Sequence, residues 1–350
     1  MTIFVTCRYL FFCGVLPLIF VLLEQIVASG FSYDYNDYQP YWKIKKELHR
    51  LARENAKEYS VFSLGTTFEG RDVWAFQISA SKGGKTIVID CGAHAREWIA
   101  PATCMSIINK LTKKRNTKHV NVKFLLKKFS WVFVPVFNPD GYAYTWINST
   151  TRLWRKNRSY TKKQLKLRNE RHNEKCIGVD INRNFGEAHW GGPGAPVNDP
   201  CYEMYAGAKP FSEKESKAMA KYLKTIKDDV IAYLSLHNFG QVWTTPWGYT
   251  KKKPSSFAEM ERVAELATGE MKKKYGIDYW VGPSYDGIYP NSGSSTDWAY
   301  SELKIKYPYL IEMRPKQESN ESFLMTAETM RKNVKEILLG ISVMAKNMKT

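Results

Sequence analysis

The chain has 350 residues, 44% of them apolar and 14% aromatic, enough for one large domain or two small ones and too apolar for a disordered chain. Its net charge is +18, concentrated in residues 113–128 and 152–175. Nucleic-acid binding is one reading of such runs, but with no nucleic-acid motif beside them they are read as a solvated basic surface with some capacity for polyanions.

In chain order, a separable leader comes first. Arg8 precedes an apolar stretch from Tyr9 to Leu23, and small residues fill Ala28 to Gly30, the pattern of a secretory signal peptide over 1–30. A membrane anchor would need roughly 20 apolar residues, and this stretch is shorter. Cleavage is expected, leaving residues 31–350 as a secreted product without a membrane span. Losing Cys7 and Cys13 leaves Cys91, Cys104, Cys176 and Cys201 of the six cysteines. In an oxidising compartment they should form two disulfides, with three pairings open. Asn148, Asn157 and Asn320 each begin an Asn-X-Ser/Thr glycosylation pattern.

The mature chain then alternates helical and strand-like runs, the signature of an α/β layered domain. Helices are predicted over 41–58, over 212–228 from a capping box at Ser212 and Glu215, and over 255–276 with Gly276 as the left-handed cap. A last helix after Phe323 places Met330, Val334, Ile337, Ile341 and Met344 on one core-facing stripe. Buried strands are predicted at "TIVID" (86–90), "WVFVPV" (131–136), "VIAYLSL" (230–236) and "YPYLIEM" (307–313). Long loops at 138–178 and 282–297 are expected to carry function.

Three of these strands end at groups that bind metals or move protons. "TIVID" leads to His94 and Glu97, "YLSLH" ends at His237, and "YLIE" ends at Glu312. Ligand sites in open α/β sheets lie beyond the carboxyl ends of strands. Two His and one Glu make an established zinc set with a fourth position open. His49, His119, His172 and His189 lack a strand before them and are expected at the surface or at caps. Asp180 is either the partner that fixes a ligand His tautomer or a turn residue. Glu312 is either a general base beside the metal or half of an ion pair with Arg314. Arg155, Asn182 and Arg183 offer planar donors for a carboxylate or an oxyanion; by composition alone they belong to the basic surface.

Together these residues resemble the zinc metallocarboxypeptidases related to pancreatic carboxypeptidases A and B. The likeness is carried by "EGRDVWAFQIS" (69–79), "GAHAREWIAPAT" (92–103), "VFNPDGYAYTW" (136–146), "RLWRKNR" (152–158), "GVDINRNF" (178–185), "SLHNFGQVWTTPWGY" (235–249), "IYPNSGSSTDWAY" (288–300) and "YPYLIEMRP" (307–315). It spans nearly the whole mature chain. The resemblance implies a single three-layer α/β/α domain over 31–350 with a mixed, mostly eight-stranded twisted sheet. It implies one Zn2+ per chain on His94, Glu97 and His237, with Glu312 as general base and Arg155 at the oxyanion. Asn182 and Arg183 would clamp the terminal carboxylate of a peptide or protein substrate, Tyr289 would close over it, and Arg96 would contact the next subsite. It also implies Cys176–Cys201 and Cys91–Cys104 disulfides and a monomer.

Three departures from the family pattern matter. The residue at the Thr296 position largely selects the side chain removed; it is acidic in B-type enzymes and apolar in A-type enzymes. Thr296, Gly248, Ile288, Asn291, Ser294 and Leu310 supply no charge, and Asp297 should point away. Neutral aromatic or aliphatic C-terminal residues are therefore expected as substrates. Phe239 replaces a tyrosine near the substrate. The matching region begins near Tyr33, almost directly after the leader and without the long inhibitory pro-segment of the pancreatic relatives, so either the product is secreted already active or this chain is an incomplete form. A catalytically dead binder is the rival class, but all ligands and the base are present.

Overall fold

The computed structural model describes residues 32–80, 84–113, 120–186, 189–316 and 322–349. The expected leader and the glycosylation pattern at Asn320 lie outside the described residues. The chain divides into Met1–Asp34 and Tyr35–Thr350, and the described strands and helices lie in the second unit.

Eight strands build one mixed sheet: β1 (Tyr59–Thr66), β2 (Asp72–Ile78), β3 (Thr86–Cys91), β4 (Ser130–Val134), β5 (Val230–Gly240), β6 (Val242–Thr245), β7 (Trp280–Pro283) and β8 (Tyr307–Lys316). Their spatial order is β1-β2-β4-β3-β5-β8-β6-β7. The central β4, β3, β5 and β8 run parallel, and antiparallel pairings join β1, β2 and β6 to them. All of β3 is buried, as is β5 from Val230 to Asn238. A strand covered on both faces has no polar side to show, which is why these runs carry no polar alternation.

Among the described residues ten α-helices accompany the sheet: α1 (Tyr41–Glu54), α2 (Ile99–Lys113), α3 (Val120–Lys128), α4 (Pro139–Tyr144), α5 (Lys162–Arg171), α6 (Lys214–Ile226), α7 (Phe257–Tyr275), α8 (Ser284–Gly287), α9 (Ser295–Ser301) and α10 (Ala327–Asn347). Met219 and Leu223 of α6 and Trp298 of α9 share one core with Val88, Val132 and Tyr233 of the sheet. Helix α10 packs against α2 and α7 through the expected stripe, with Met330, Ile337, Ile341 and Met344 fully buried. Gly276 caps α7 at φ 66°, a conformation that glycine adopts without steric cost. The capping box expected at Ser212 is not formed: α6 begins at Lys214 with Glu213 at its cap and no side-chain cap bond. Ser212 Oγ instead donates to Glu213 Oε1 at 2.7 Å.

The cysteines meet half of the expectation. Cys176 and Cys201 are bonded across 25 residues. Cys91 and Cys104 are both buried free thiols, which corrects the second pairing. Packing of α2 on β3 brings them into hydrogen-bonding contact, while burial pushes the Cys91 thiol well above its ordinary value and disfavours the thiolate that disulfide formation requires. Closing a loop of this length gives the Cys176–Cys201 bond about 3 kcal/mol of stabilisation. Replacing both residues with serine should lower the unfolding free energy by that amount in a urea titration.

Asn157 is also reassigned. Its side chain is fully buried; its amide donates to Glu213 at 2.7 Å and its oxygen accepts from Val179 N at 2.8 Å. A glycan has no access there in the folded chain, whereas Asn148 is exposed.

Candidate active site

The sheet order sets β3, β5 and β8 side by side, and the chemistry collects at their carboxyl ends. Past β3 the chain turns at Gly92, whose φ is +68° and where a Cβ would crowd Pro101 at 3.0 Å. The turn delivers His94 and Glu97. His237 lies within β5 and pairs in register with Glu312 of β8.

His94, Glu97 and His237 offer ligand atoms within 4.8 Å of one another, and all three are buried. His94 Nδ1 lies 2.8 Å from Glu97 Oε1, and His237 Nδ1 lies 3.0 Å from Glu97 Oε2 and 3.1 Å from His94 Nδ1. The opposite ring nitrogens are committed elsewhere. His94 Nε2 is 3.1 Å from Asp180 Oδ1, and His237 Nε2 is 2.9 Å from Ser235 Oγ, which donates to Asp90 Oδ1 at 2.9 Å. With those nitrogens protonated toward Asp180 and Ser235, both Nδ1 atoms present lone pairs to each other and to a carboxylate. Three such groups facing one another repel unless a cation lies between them, so the donor set fits a divalent ion. Burial would raise Glu97, but positive charge on His94 and His237 holds its carboxyl well below the usual range, and a cation placed between neutral rings and the carboxylate would act in the same direction. Burial and then Arg155 push His94 down, which favours the neutral ligand form.

Asp180 plays both of its expected parts. Its Oδ1 accepts from Asn182 N at 2.9 Å as the cap of a short turn, and it meets His94. Its Oδ2 takes both Nε and Nη2 of Arg155, at 2.9 and 2.8 Å. Burial opposes its charge, but Arg155, His94 and Arg183 hold it well below the carboxylate range. Arg155 is thus aimed at the metal ligands and lies apart from the basic surface.

Glu312 is partly buried, and its Oε2, shut off from solvent, has no hydrogen-bond partner. The alternative ion pair is not made: Arg314 turns to Glu336, at 2.8 and 2.9 Å. Burial, then the Glu97 charge, pushes the Glu312 carboxyl up to about 8, the condition of a group poised to exchange protons.

His94, Glu97, Arg155 and Glu312 line a cavity of about 380 Å³ that also includes Arg96, Asn182, Arg183, Asn238, Phe239, Ile288, Tyr289, Asn291, Leu310 and Phe323. Arg183 is anchored by Nε to Gly194 O at 3.1 Å and by Nη1 to Asn182 O at 2.8 Å, and its Nη2 donates to Tyr289 Oη at 2.7 Å. Asn182 is held by Ser295 N on its oxygen at 2.9 Å. Arg96 sits over the Phe323 ring at 4.3 Å and donates to Glu203 at 3.2 Å. Gly248, Ser294 and Thr296 do not line this cavity; Thr296 is buried with Oγ1 3.4 Å from Ser294 Oγ. Asp297 accepts from Gly248 N at 2.9 Å and faces a separate small void beside Phe185 and Trp298. A larger cleft of about 770 Å³ between β7 and α7 holds none of these groups.

Sequence reasoning missed Ser235, Asp90, Asn238 and Phe323. Ser235 and Asp90 had a signal, two residues before a ligand His and at the last-but-one position of the strand before the other. Asn238 follows His237 directly, and both polar atoms of its side chain lack partners. Phe323 has no signal, since only the fold returns it to the site.

Fold and site together define a single-zinc hydrolase built on an α/β sheet. The zinc carboxypeptidase family model matches residues 44–340, and the chain belongs to that family. It is 38% identical to carboxypeptidase O of Homo sapiens over 81% of this chain and 72% of that protein. It is 35% identical to mast cell carboxypeptidase A of Mus musculus over 93% of this chain and 73% of that protein. The solved structure of bovine thrombin-activatable fibrinolysis inhibitor, in complex with tick carboxypeptidase inhibitor, superposes with a TM-score of 0.80 at 32% identity, covering 89% of this chain and 97% of that one. The protein is a zinc metallocarboxypeptidase that acts on peptides, with the metal held by His94, Glu97 and His237. No helix among the described residues is long and apolar enough to cross a membrane.

Proposed function

We propose that the chain releases single neutral, aromatic or aliphatic residues from the C-termini of peptides and proteins. The supporting observation is the cavity beyond Arg183, where Ile288, Asn291 and Leu310 contribute no charge. A charged side chain desolvated against such a lining has nothing to pair with.

Bound at its three ligands, zinc supplies a Lewis acid that acidifies water and polarises a carbonyl. Arg183 and the Asn182 amide take the terminal carboxylate, which orients the scissile bond. Tyr289 closes over the bound residue. Glu312 removes a proton from the attacking water as its oxygen bonds the carbonyl carbon, then delivers that proton to the nitrogen as the C–N bond breaks. Arg155, preset by Asp180, faces the oxygen on which negative charge develops. Arg96 and the unpartnered Asn238 amide meet the main chain of the preceding residue.

The catalytic domain would span 31–350 behind a cleaved leader and work outside the cell, in keeping with the Cys176–Cys201 bond. The exposed basic side chains of α5 and its neighbours would give weak, salt-sensitive retention on polyanions.

Blocked dipeptides ending in Phe, Leu, Lys or Glu, assayed with and without 1,10-phenanthroline, test the specificity. Phe and Leu should be released about 100-fold more efficiently than Lys or Glu, as the cost of an unpaired buried charge implies, and the chelator should abolish all release. Preferential release of Lys would overturn the reading.

A further inference from the structure

Arg183 is not free to receive a carboxylate as it stands. Its Nη2 donates to the Tyr289 hydroxyl at 2.7 Å, and that hydroxyl donates onward to the Met204 sulphur at 3.2 Å. Met204 Sδ also lies 4.0 Å from Arg183 Nη2. Both roles of the phenol are thus filled, one by the clamp arginine and one by a thioether. Met204 belongs to the loop that follows Cys201, and it lines a cavity of about 370 Å³ with Arg96, Arg155, Glu203 and Tyr289. Every other methionine among the described residues is buried, while Met204 is partly exposed.

We propose that Met204 is a latch for Tyr289 and a peroxide-sensitive modification site that sets the affinity for C-terminal carboxylates. The proposal rests on Arg183 being the carboxylate clamp. An incoming carboxylate must take Nη2 from the phenol, so whatever holds the phenol competes with substrate. A thioether is a weak acceptor, which keeps the latch easy to release. A peroxide transfers one oxygen to the Met204 sulphur: the O–O bond breaks, an S–O bond forms, sulphur is oxidised by two electrons, and the peroxide is reduced to water or an alcohol. The product is a sulfoxide, whose oxygen is a strong acceptor within reach of both the Tyr289 hydroxyl and Arg183 Nη2. Oxidation therefore tightens the latch that holds Tyr289 on Arg183 and weakens substrate binding. Access selects the site, since the remaining described methionines lie in the core.

The test uses zinc-loaded Glu312→Gln protein, which should bind a blocked dipeptide ending in Phe without cutting it, and reads Kd by calorimetry for the free acid and the C-terminal amide. Met204→Leu, close in volume but without the acceptor, should tighten binding of the acid about two- to fivefold, the effect of one weak hydrogen bond. It should leave the amide unmoved. Hydrogen peroxide, followed by its removal, should add one oxygen at Met204 by peptide mass analysis and weaken acid binding in the Met204 protein, with no such change in Met204→Leu. Met204→Gln, which supplies a permanent amide oxygen, should mimic the oxidised state and carries the test if the leucine variant does not fold. Equal acid affinity in all forms, or an equal peroxide response without Met204, would overturn the latch. If acid and amide bind alike from the start, the carboxylate clamp fails instead.

Discussion

Glu312→Gln should retain one zinc per chain and lose about 10³-fold in kcat, in the middle of the range for removing a general acid–base group. The exchange keeps volume and shape and removes only the charge and the proton-accepting oxygen. The three metal ligands are other residues, so metal content should not change. Glu312 has no competing structural duty: its Oε2 is unpartnered and Arg314 is engaged with Glu336. Substrate binding should change little, because the clamp is Arg183 and not Glu312. Metal analysis beside steady-state kinetics with a Phe-terminated dipeptide separates these effects. Full turnover with full metal would remove Glu312 from the proton transfers.

The site was legible in the sequence to the extent that it hangs on strand ends. His94, Glu97, His237 and Glu312 each follow an apolar run, and the sheet order β3-β5-β8 makes those runs neighbours. The stripe of α10 was legible for the same kind of reason, since a period near 3.6 survives any tertiary arrangement. What failed was decided by contacts across the chain. Ser212 and Glu215 have capping-box spacing, but Glu215 is buried beside Glu213 and Asn157, so the polar residues of this turn serve a core network. Within the long loop 138–178 lie two short α-helices and a 3-10 turn at Glu174–Cys176; α5 is opened by a true capping box at Thr161 and Gln164, a signal that high loop polarity hid. Asn157 matched a surface modification pattern and is one of the most buried polar residues. Cys91 and Cys104 are close in space, and only the structure shows them as separate thiols. The edge strand β1 mixes exposed with buried positions, and β2 beside it alternates partly and fully buried ones, so both lacked the continuous apolar run that marked the centre.

Asp180→Ala should produce the other large loss, and a compound one. A single carboxylate fixes the ring of a metal ligand, the fork of Arg155 and the turn that presents Asn182 and Arg183. Removing the partner of a ligand His typically weakens metal binding about 10- to 100-fold, so zinc affinity should fall by that factor in a chelator competition. Activity measured at saturating zinc isolates the remaining share. Without its carboxylate, Arg155 is a buried cation whose attraction is left to Glu97, 3.9 Å away, and it should swing toward that ligand and away from the developing oxyanion. Loss of such a donor costs about 10² to 10³ in kcat, and this part should persist when the metal is restored. Asp180→Asn separates the contributions, because an amide oxygen can still accept from His94 or cap the turn but cannot neutralise Arg155. It should recover more of the zinc affinity than of the turnover. Equal recovery of both would mean that Asp180 acts on the metal alone and that Arg155 finds its place without it.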